Sequence, residues 1–83
     1  MYEIDRSIED FIPLLRKQMF RNKHKGDWRK LSKDELIVYL WAEIVELYQA
    51  MDEGDIKEIQ NKAANVGNYA MMISYKASRC GGQ

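Results

Sequence analysis

The sequence contains one cysteine, one histidine and one proline, and its acidic and basic side chains cancel. The single cysteine, Cys80, excludes a disulfide within the chain and is typical of a reducing compartment such as the cytoplasm. One cysteine and one histidine are too few for a zinc cluster. Because 13 basic and 13 acidic residues balance, no overall field attracts nucleic acid or an anionic membrane.

Long apolar runs are also missing. No run approaches the roughly 20 residues that span a bilayer, and the polar segment from Met1 to Arg6 does not resemble a secretory signal. The content of 46% hydrophobic and 31% charged residues is that of a globular protein. These features predict a soluble cytoplasmic protein with one domain, residues 1–83. A chain this short needs very good packing or a partner subunit.

Apolar residues recur at helical spacing in three segments, which predicts an all-α protein. The first helix is expected from about Ser7 into the region of Arg21 to Lys23. Pro13 predicts either a helix that begins near Asp10 or a kink, because proline lacks the N–H that a helix interior needs. The apolar face of this helix comprises Ile4, Ile8, Phe11, Ile12, Leu15 and Met19.

Two capping boxes predict where the next two helices begin. Ser32 and Glu35 open the second helix, which is expected to end at Met51 or Glu53 because Gly54 follows. Asp55 and Glu58 open the third helix, which is expected to end at Gly81-Gly82. Its apolar stripe comprises Ile59, Ala63, Val66, Ala70, Ile73 and Ala77, and Gly67 would allow another helix to approach closely.

The predicted architecture is a three-helix chain with a central helix hairpin. Each helix is apolar over a wider arc than three short helices can cover for one another. On the second helix one stripe contains Leu36, Leu40 and Leu47, and a second contains Ile37, Trp41, Ile44, Tyr48 and Met51. We therefore expect a homodimer or a dimer of dimers, with helices two and three completing a four-helix-type bundle.

Two acids on the second helix form the strongest functional signal. Glu43 and Glu46 share one helix face because residues at i and i+3 are neighbours, and Glu43 falls beside the apolar stripe. A carboxylate in that position is costly unless a cation, a metal or hydrogen bonds compensate it. Whatever compensates this pair is the main indication of function.

The connection between the first two helices is basic and contains an aromatic residue, Trp28. One interpretation is a hydrophobic plug over the end of a helix bundle. The other is a stacking surface for a base, with His24, Lys25 and Arg29 facing phosphates. Both interpretations remain open at this stage.

Three motifs, in this order, are similar to those of the small MazG-like nucleotide pyrophosphohydrolases. They are the run NKHKGDWR from Asn22 to Arg29, the pair Glu43-x-x-Glu46 with Leu47, and the run AANVGNYAMMI from Ala63 to Ile73. The family belongs to the all-α NTP pyrophosphatases, which cleave a nucleoside triphosphate between the α and β phosphates with Mg²⁺. The resemblance implies that Glu43 and Glu46 are catalytic and bind the metal. The candidate substrate-binding residues are His24, Lys25, Trp28, Arg29, Trp41 and Asn68.

The sequence departs from the family at the second acidic pair, written E-x-x-D, where it has Lys62-x-x-Asn65. Four carboxylates become two carboxylates and one ammonium group, which neutralises most of the charge that would attract Mg²⁺. We expect Lys62 to lie within salt-bridge reach of Glu43 or Glu46, and Mg²⁺ to bind poorly. Glu58 is a possible substitute ligand, but an ion pair with Lys62 and a role in the capping box explain it more simply.

Three functions compete at this stage. The first is a nucleoside triphosphate pyrophosphohydrolase that is weakened or inactive, with Mg²⁺ as its cofactor. The second is a non-catalytic relative that binds nucleotides or serves as a dimeric interaction protein. The third, nucleic-acid binding, rests on the basic segment from Arg16 to Lys30 and is disfavoured by zero net charge. Tyr69, Met71 and Met72 are interpreted as core or dimer contacts.

Overall fold

The computed structural model describes residues 2–22 and 26–79, and within these ranges the chain is helical apart from short connections. Three α-helices follow one another in the order α1 (Tyr2–Arg21), α2 (Lys33–Glu53) and α3 (Ile56–Arg79), with a 3₁₀ turn (Trp28–Lys30) between α1 and α2. The all-α prediction is therefore confirmed. In the part of the chain that is described, no helix is both long and apolar enough to cross a membrane. The predicted end of α3 at Gly81-Gly82 lies outside the described residues.

Helix α2 has the predicted boundaries. The Ser32 side chain accepts a hydrogen bond from the Glu35 N–H at 3.0 Å, and the Glu35 carboxylate accepts one from the Ser32 N–H at 2.9 Å. At the other end Gly54 adopts the left-handed conformation with φ 72°, which a residue without Cβ reaches at little cost. Both ends of α2 are therefore set by local sequence.

The connection from α2 to α3 is short because Asp55 takes part in both helix ends. Its side chain accepts a hydrogen bond from the Glu58 N–H at 3.2 Å, which confirms it as the cap of α3. Its own N–H donates to the Ala50 carbonyl at 3.2 Å, as in a Schellman motif. The second half of the predicted capping box is absent here: the Glu58 carboxylate accepts from Asn61 instead, at 3.3 Å.

Helix α1 begins at Tyr2 rather than at Ser7, and Pro13 lies inside it. The expected start at about Ser7 and the alternative start near Asp10 are therefore both wrong. Side chains bridge its first turns: Arg6 donates to the Tyr2 hydroxyl at 2.8 Å, and the Ser7 hydroxyl donates to the Glu3 carbonyl at 2.8 Å. The helix loses the one hydrogen bond that the N–H of residue 13 would donate, and it continues on both sides of it.

Helix α3 occupies the centre of the fold. Both α1 and α2 pack against α3, whereas within the described ranges α1 and α2 do not pack against each other. The most buried line of α3 is therefore Ala64, Asn68 and Met72, which faces both neighbours. This corrects the predicted stripe, since Ala70 and Ala77 are exposed.

Helix α2 buries one of its two apolar stripes. Leu36 is fully buried and Leu40 and Leu47 are half-buried. The second stripe is exposed on the outside of the hairpin, with 63% of the Trp41 surface and 72% of the Tyr48 surface accessible. We call this exposed stripe the outer face of α2; it consists of Ile37, Trp41, Ile44, Tyr48 and Met51.

Helices α1 and α3 approach closely at Gly67. A Cβ atom at this position would lie 2.9 Å from Leu15 Cδ2 and 3.3 Å from a ring carbon of Phe11. The close approach also allows the Asn68 amide to donate to the Leu15 carbonyl at 2.9 Å. The predicted role of Gly67 in helix packing is confirmed.

Substitution of Gly67 by valine is expected to separate α1 from α3. The added branched side chain overlaps Leu15 and Phe11, so we expect a loss of about 1–3 kcal/mol in the free energy of unfolding. Chemical denaturation followed by circular dichroism measures it. The control is Ala70→Val on the exposed side of α3. It also places a valine in α3, where valine is a poorer helix former than alanine, but this valine does not overlap Leu15 or Phe11. Equal losses in the two variants would contradict the packing role of Gly67.

Candidate functional site

A cleft of about 870 Å³ lies over α3, between α2 and the C-terminal end of α1. Over the described residues α1 and α2 pack on α3 rather than on each other, and the cleft lies in the gap between them. The 3₁₀ turn closes one end of it. The lining residues are Met19, Asn22, Gly26, Asp27, Trp28, Arg29, Leu31, Tyr39, Ala42, Glu43, Glu46, Tyr69, Met72 and Tyr75. Its volume lies within the range of small-molecule sites in proteins.

Both predicted acids line this cleft, and each is bound by the residue predicted to face it. Lys62 Nζ lies 2.6 Å from Glu46 Oε1. Asn65 Nδ2 donates to Glu43 Oε1 at 2.9 Å. The prediction that Lys62 reaches one of the two acids within the same chain is confirmed. The two half-buried carboxylates are thus held by one ammonium group and one amide.

Asn65 also connects the site to α1. Its Oδ1 accepts a hydrogen bond from Asn22 Nδ2 at 3.5 Å while its Nδ2 donates to Glu43. An amide can accept and donate at once, whereas an ionised aspartate is an acceptor alone. An aspartate at position 65 would instead set two like charges against each other. Asparagine therefore suits a site in which no divalent ion lies between the helices.

A second amide contact runs parallel to the first, and sequence reasoning missed both. Gln18, only 5% exposed, donates to Asn61 Oδ1 at 3.2 Å. The available signal was spacing, because Gln18 and Asn22 are one turn apart on α1, as are Asn61 and Asn65 on α3. Two polar pairs with matching i, i+4 spacing indicate facing helices. These contacts fix the register of α1 against α3.

Two groups beside the acids have raised pKa values. The hydrogen bond to Glu46 raises the pKa of Lys62 above its ordinary value, against the opposing effect of burial. Burial raises the pKa of the Tyr69 hydroxyl, and the nearby charge of Glu43 raises it further. The Lys62 ammonium group and the neutral Tyr69 hydroxyl are therefore the forms that the cleft favours.

The donor set does not fit Mg²⁺. This ion takes octahedral oxygen ligands and is held by carboxylates, waters and phosphates. Here the Lys62 ammonium group is bonded to Glu46, and the Asn65 amide nitrogen, not an oxygen, points at Glu43. Over residues 2–22 and 26–79, no three acidic, histidine or cysteine side chains come together as a possible metal site. Glu58, the possible substitute ligand, does not line the cleft and is bonded to Asn61.

Aromatic rings form much of the remaining wall. Tyr39 of α2 stacks on Tyr69 of α3, with ring centroids 5.8 Å apart. Trp28 of the 3₁₀ turn meets the ring of Tyr75 edge-on at 5.3 Å. Lys76 Nζ donates to the Arg29 carbonyl at 2.8 Å and so holds the turn on α3. Tyr39 and Tyr75 were not predicted as site residues, because aromatic residues at helical positions are also typical of ordinary helix packing.

The predicted substrate-binding residues are only partly brought together. Trp28 and Arg29 line the cleft, and Trp28 packs edge-on against Tyr75 near the end of α3. The packing agrees with the interpretation of Trp28 as a hydrophobic plug, while base stacking stays a prediction. The Arg29 guanidinium is bonded to Asp27, with Nε to Oδ1 at 3.0 Å and Nη2 to Oδ2 at 3.3 Å. His24 and Lys25 lie outside the described residues.

Two other candidates lie away from the cleft. Trp41 is on the outer face of α2 and is 63% exposed. Asn68 is 4% exposed and its amide is bonded to the Leu15 carbonyl, so it joins α3 to α1. Neither residue is among those that line the cavity.

Comparison of the chain with protein-family models, with curated proteins and with solved structures found no match.

Replacing Lys62 by methionine is expected to destabilise the protein at neutral pH. The side chains of Lys62 and Glu46 are 24% and 44% exposed, so solvent screens the pair, and we expect a loss of about 1 kcal/mol. For a domain of this size that corresponds to a fall in Tm of about 4–8 °C. Thermal unfolding at one fixed protein concentration measures it, with Lys57→Met on the exposed side of α3 as the control.

The pH dependence distinguishes the ion pair from lost packing. Because the pKa of Lys62 is raised in the folded state, its contribution is complete below the ordinary lysine value of 10.5 and is lost as the pH rises through the raised value. The difference between the natural protein and the variant should therefore shrink at strongly alkaline pH. A difference that stays constant up to that pH would show that the ammonium charge is not involved.

Proposed function

We propose that this chain is a MazG-like, nucleotide-binding all-α protein whose metal-dependent pyrophosphohydrolase activity is weak or lost. One observation carries the proposal: Lys62 and Asn65 bind Glu46 and Glu43 at the place where the resemblance predicts a second acidic pair. A pyrophosphohydrolase of this kind needs Mg²⁺ to bridge carboxylates and phosphates. Here an ammonium group on Glu46 and a neutral amide on Glu43 take the place of the ion.

The cleft supports the nucleotide-binding half of the proposal. Its volume of about 870 Å³ is sufficient for a nucleoside. Trp28, Tyr39, Tyr69 and Tyr75 supply ring surfaces of the kind on which bases stack. With the acids already compensated, the same cavity can retain binding after it has lost turnover. We take the protein to be cytoplasmic, where nucleotides are abundant and a lone thiol such as that of Cys80 stays reduced.

Homodimerisation is part of the same proposal. The accessible surface of the chain is 6398 Å², about 1,200 Å² more than a compact monomer of this mass exposes. A typical stable interface buries about 800 Å² on each partner. The outer face of α2 is an exposed apolar stripe along one whole helix, and a second copy packed on it would complete a four-helix-type bundle.

Trp41→Lys is expected to convert the dimer into a monomer. The substitution places a charge in the middle of the outer face of α2, where a partner would desolvate it. Sedimentation equilibrium at micromolar concentration measures the change. Ile56→Lys, which alters an equally exposed residue at the start of α3, is the control and should remain dimeric. A natural protein that sediments as a stable monomer would contradict the dimer.

Restoring the acidic pair is expected to restore turnover. In the double variant Lys62→Glu with Asn65→Asp, four carboxylates face one another and need a divalent ion between them. We expect Mg²⁺ to raise the Tm of this variant, and Mg²⁺-dependent pyrophosphate release from dNTPs to exceed that of the natural protein by on the order of a hundredfold. The assay measures pyrophosphate from each dNTP with and without Mg²⁺.

A matched control separates the site from general charge effects. Lys57→Glu with Gln60→Glu makes the same change in net charge, at the same i, i+3 spacing, on exposed positions of α3. This control should gain neither turnover nor stabilisation by Mg²⁺. Equal metal-dependent turnover by the natural protein and the double variant would show that other residues carry the metal, and Glu58 would be tested first.

A further inference from the structure

The ion pairs of the cleft leave one carboxylate without a cation of its own. Among the described lining residues, Asp27 is paired with Arg29 and Glu46 is paired with Lys62. The hydrogen-bond partner of Glu43 is the neutral amide of Asn65. A triphosphate would bring several further negative charges to this position without a metal to bridge them. Glu43, at the position where the resemblance would place phosphates, is therefore suited to bind a ligand that donates hydrogen bonds.

Glu43 retains the capacity to accept hydrogen bonds from a ligand. A carboxylate offers about four lone-pair sites on two oxygens, and the bond from Asn65 occupies one of them on Oε1. Glu43 lines the cavity and is half-buried, so water does not fully screen it. Two parallel N–H donors on one rigid edge would match its two oxygens, as an arginine does in bidentate pairs.

The aromatic side chains that line the cleft favour a planar ligand. Tyr39 lies one helical turn before Glu43 on α2 and stacks on Tyr69, and all three residues line the cleft. The indole of Trp28 lies at the end closed by the 3₁₀ turn. A planar heterocycle gains stacking on such rings while its edge reaches the carboxylate.

We propose that the cleft binds guanine nucleosides, with the N1–H and N2–H₂ edge of the base on the Glu43 carboxylate. Guanine is the common base with two adjacent donors on one edge. Adenine and cytosine place a ring acceptor beside their amino group, and uracil places a single N–H between two carbonyls. Each of those acceptors would be repelled by a carboxylate oxygen. The inference rests on the proposed nucleotide-binding cleft and assigns its ligand and the ligand's orientation.

The test compares guanosine with inosine, which lacks only the N2 amino group. Binding to the ¹⁵N-labelled full chain is measured by NMR titration, with the Trp28 indole resonance as a reporter inside the cleft. Because a hydrogen bond to a charged group is lost, guanosine should bind about tenfold or more tightly than inosine. Guanosine should also bind more tightly than dGTP, and Mg²⁺ should not reverse that order.

Two variants assign the effect to Glu43. Glu43→Gln replaces one carboxylate oxygen by a donor and should abolish the preference for guanosine over inosine. Glu53→Gln removes the same charge from an exposed position at the end of α2 and should leave the preference intact. The NMR spectrum of each variant verifies its fold, and the comparison of guanosine with inosine on the natural protein needs no variant.

The outcomes separate this inference from the proposed function. Tighter binding of dGTP with Mg²⁺ than of guanosine would overturn the inference and leave a nucleotide-binding cleft. Equal binding of guanosine and inosine would also overturn it, because the amino group would then make no contact. If neither nucleosides nor nucleotides shift the cleft resonances, the proposed function and the inference both fail.

Discussion

The compensation of two half-buried carboxylates on α2 by two side chains on α3 is the constraint on which this structure depends. Glu43 and Glu46 line a cavity in which an unpaired charge is costly, and Asn65 and Lys62 compensate them at 2.9 and 2.6 Å. These two contacts tie the helices of the hairpin together at mid-length. They also affect the chemistry of the cleft, because the ammonium group on Glu46 repels a divalent cation and the Asn65 amide presents a nitrogen rather than an oxygen ligand.

The central position of α3 gives the cleft its shape. A helix that carries a neighbour on each of two sides leaves a gap between those neighbours, and the 3₁₀ turn closes one end of the gap. Small and amide side chains on α3 make this possible: Gly67 admits α1 closely, while Asn61, Asn65 and Asn68 bond to α1. Amides suit this seam because each can donate and accept at once, so α1 is held in register without buried charge.

Helix α2 carries both the acids of the cleft and the exposed apolar stripe. Helix α2 presents Glu43 and Glu46 to the cavity and Trp41 and Tyr48 to the outside. A partner on the outer face of α2 would therefore support the helix that carries the acids without entering the cavity. Loss of turnover at the acids would leave this second role of α2 untouched.

Local sequence determined that the chain is helical and set both ends of α2, because caps, glycine and the 3.6-residue period act within a few residues. The contact of Lys62 with Glu46 joins two helices, and it was expected from the resemblance to the family's second acidic pair rather than from local sequence. Tertiary structure decided what lies inside the cleft. Trp41 and Asn68 resembled site residues in sequence, yet one is exposed and the other joins α1 to α3, whereas Tyr39 and Tyr75 came to line the cavity. Which face of an apolar helix is covered depends on where its neighbours pack. Helix α3 has a neighbour on each of two sides, and it therefore buries the line of Ala64, Asn68 and Met72. The sequence pattern alone did not single out this line.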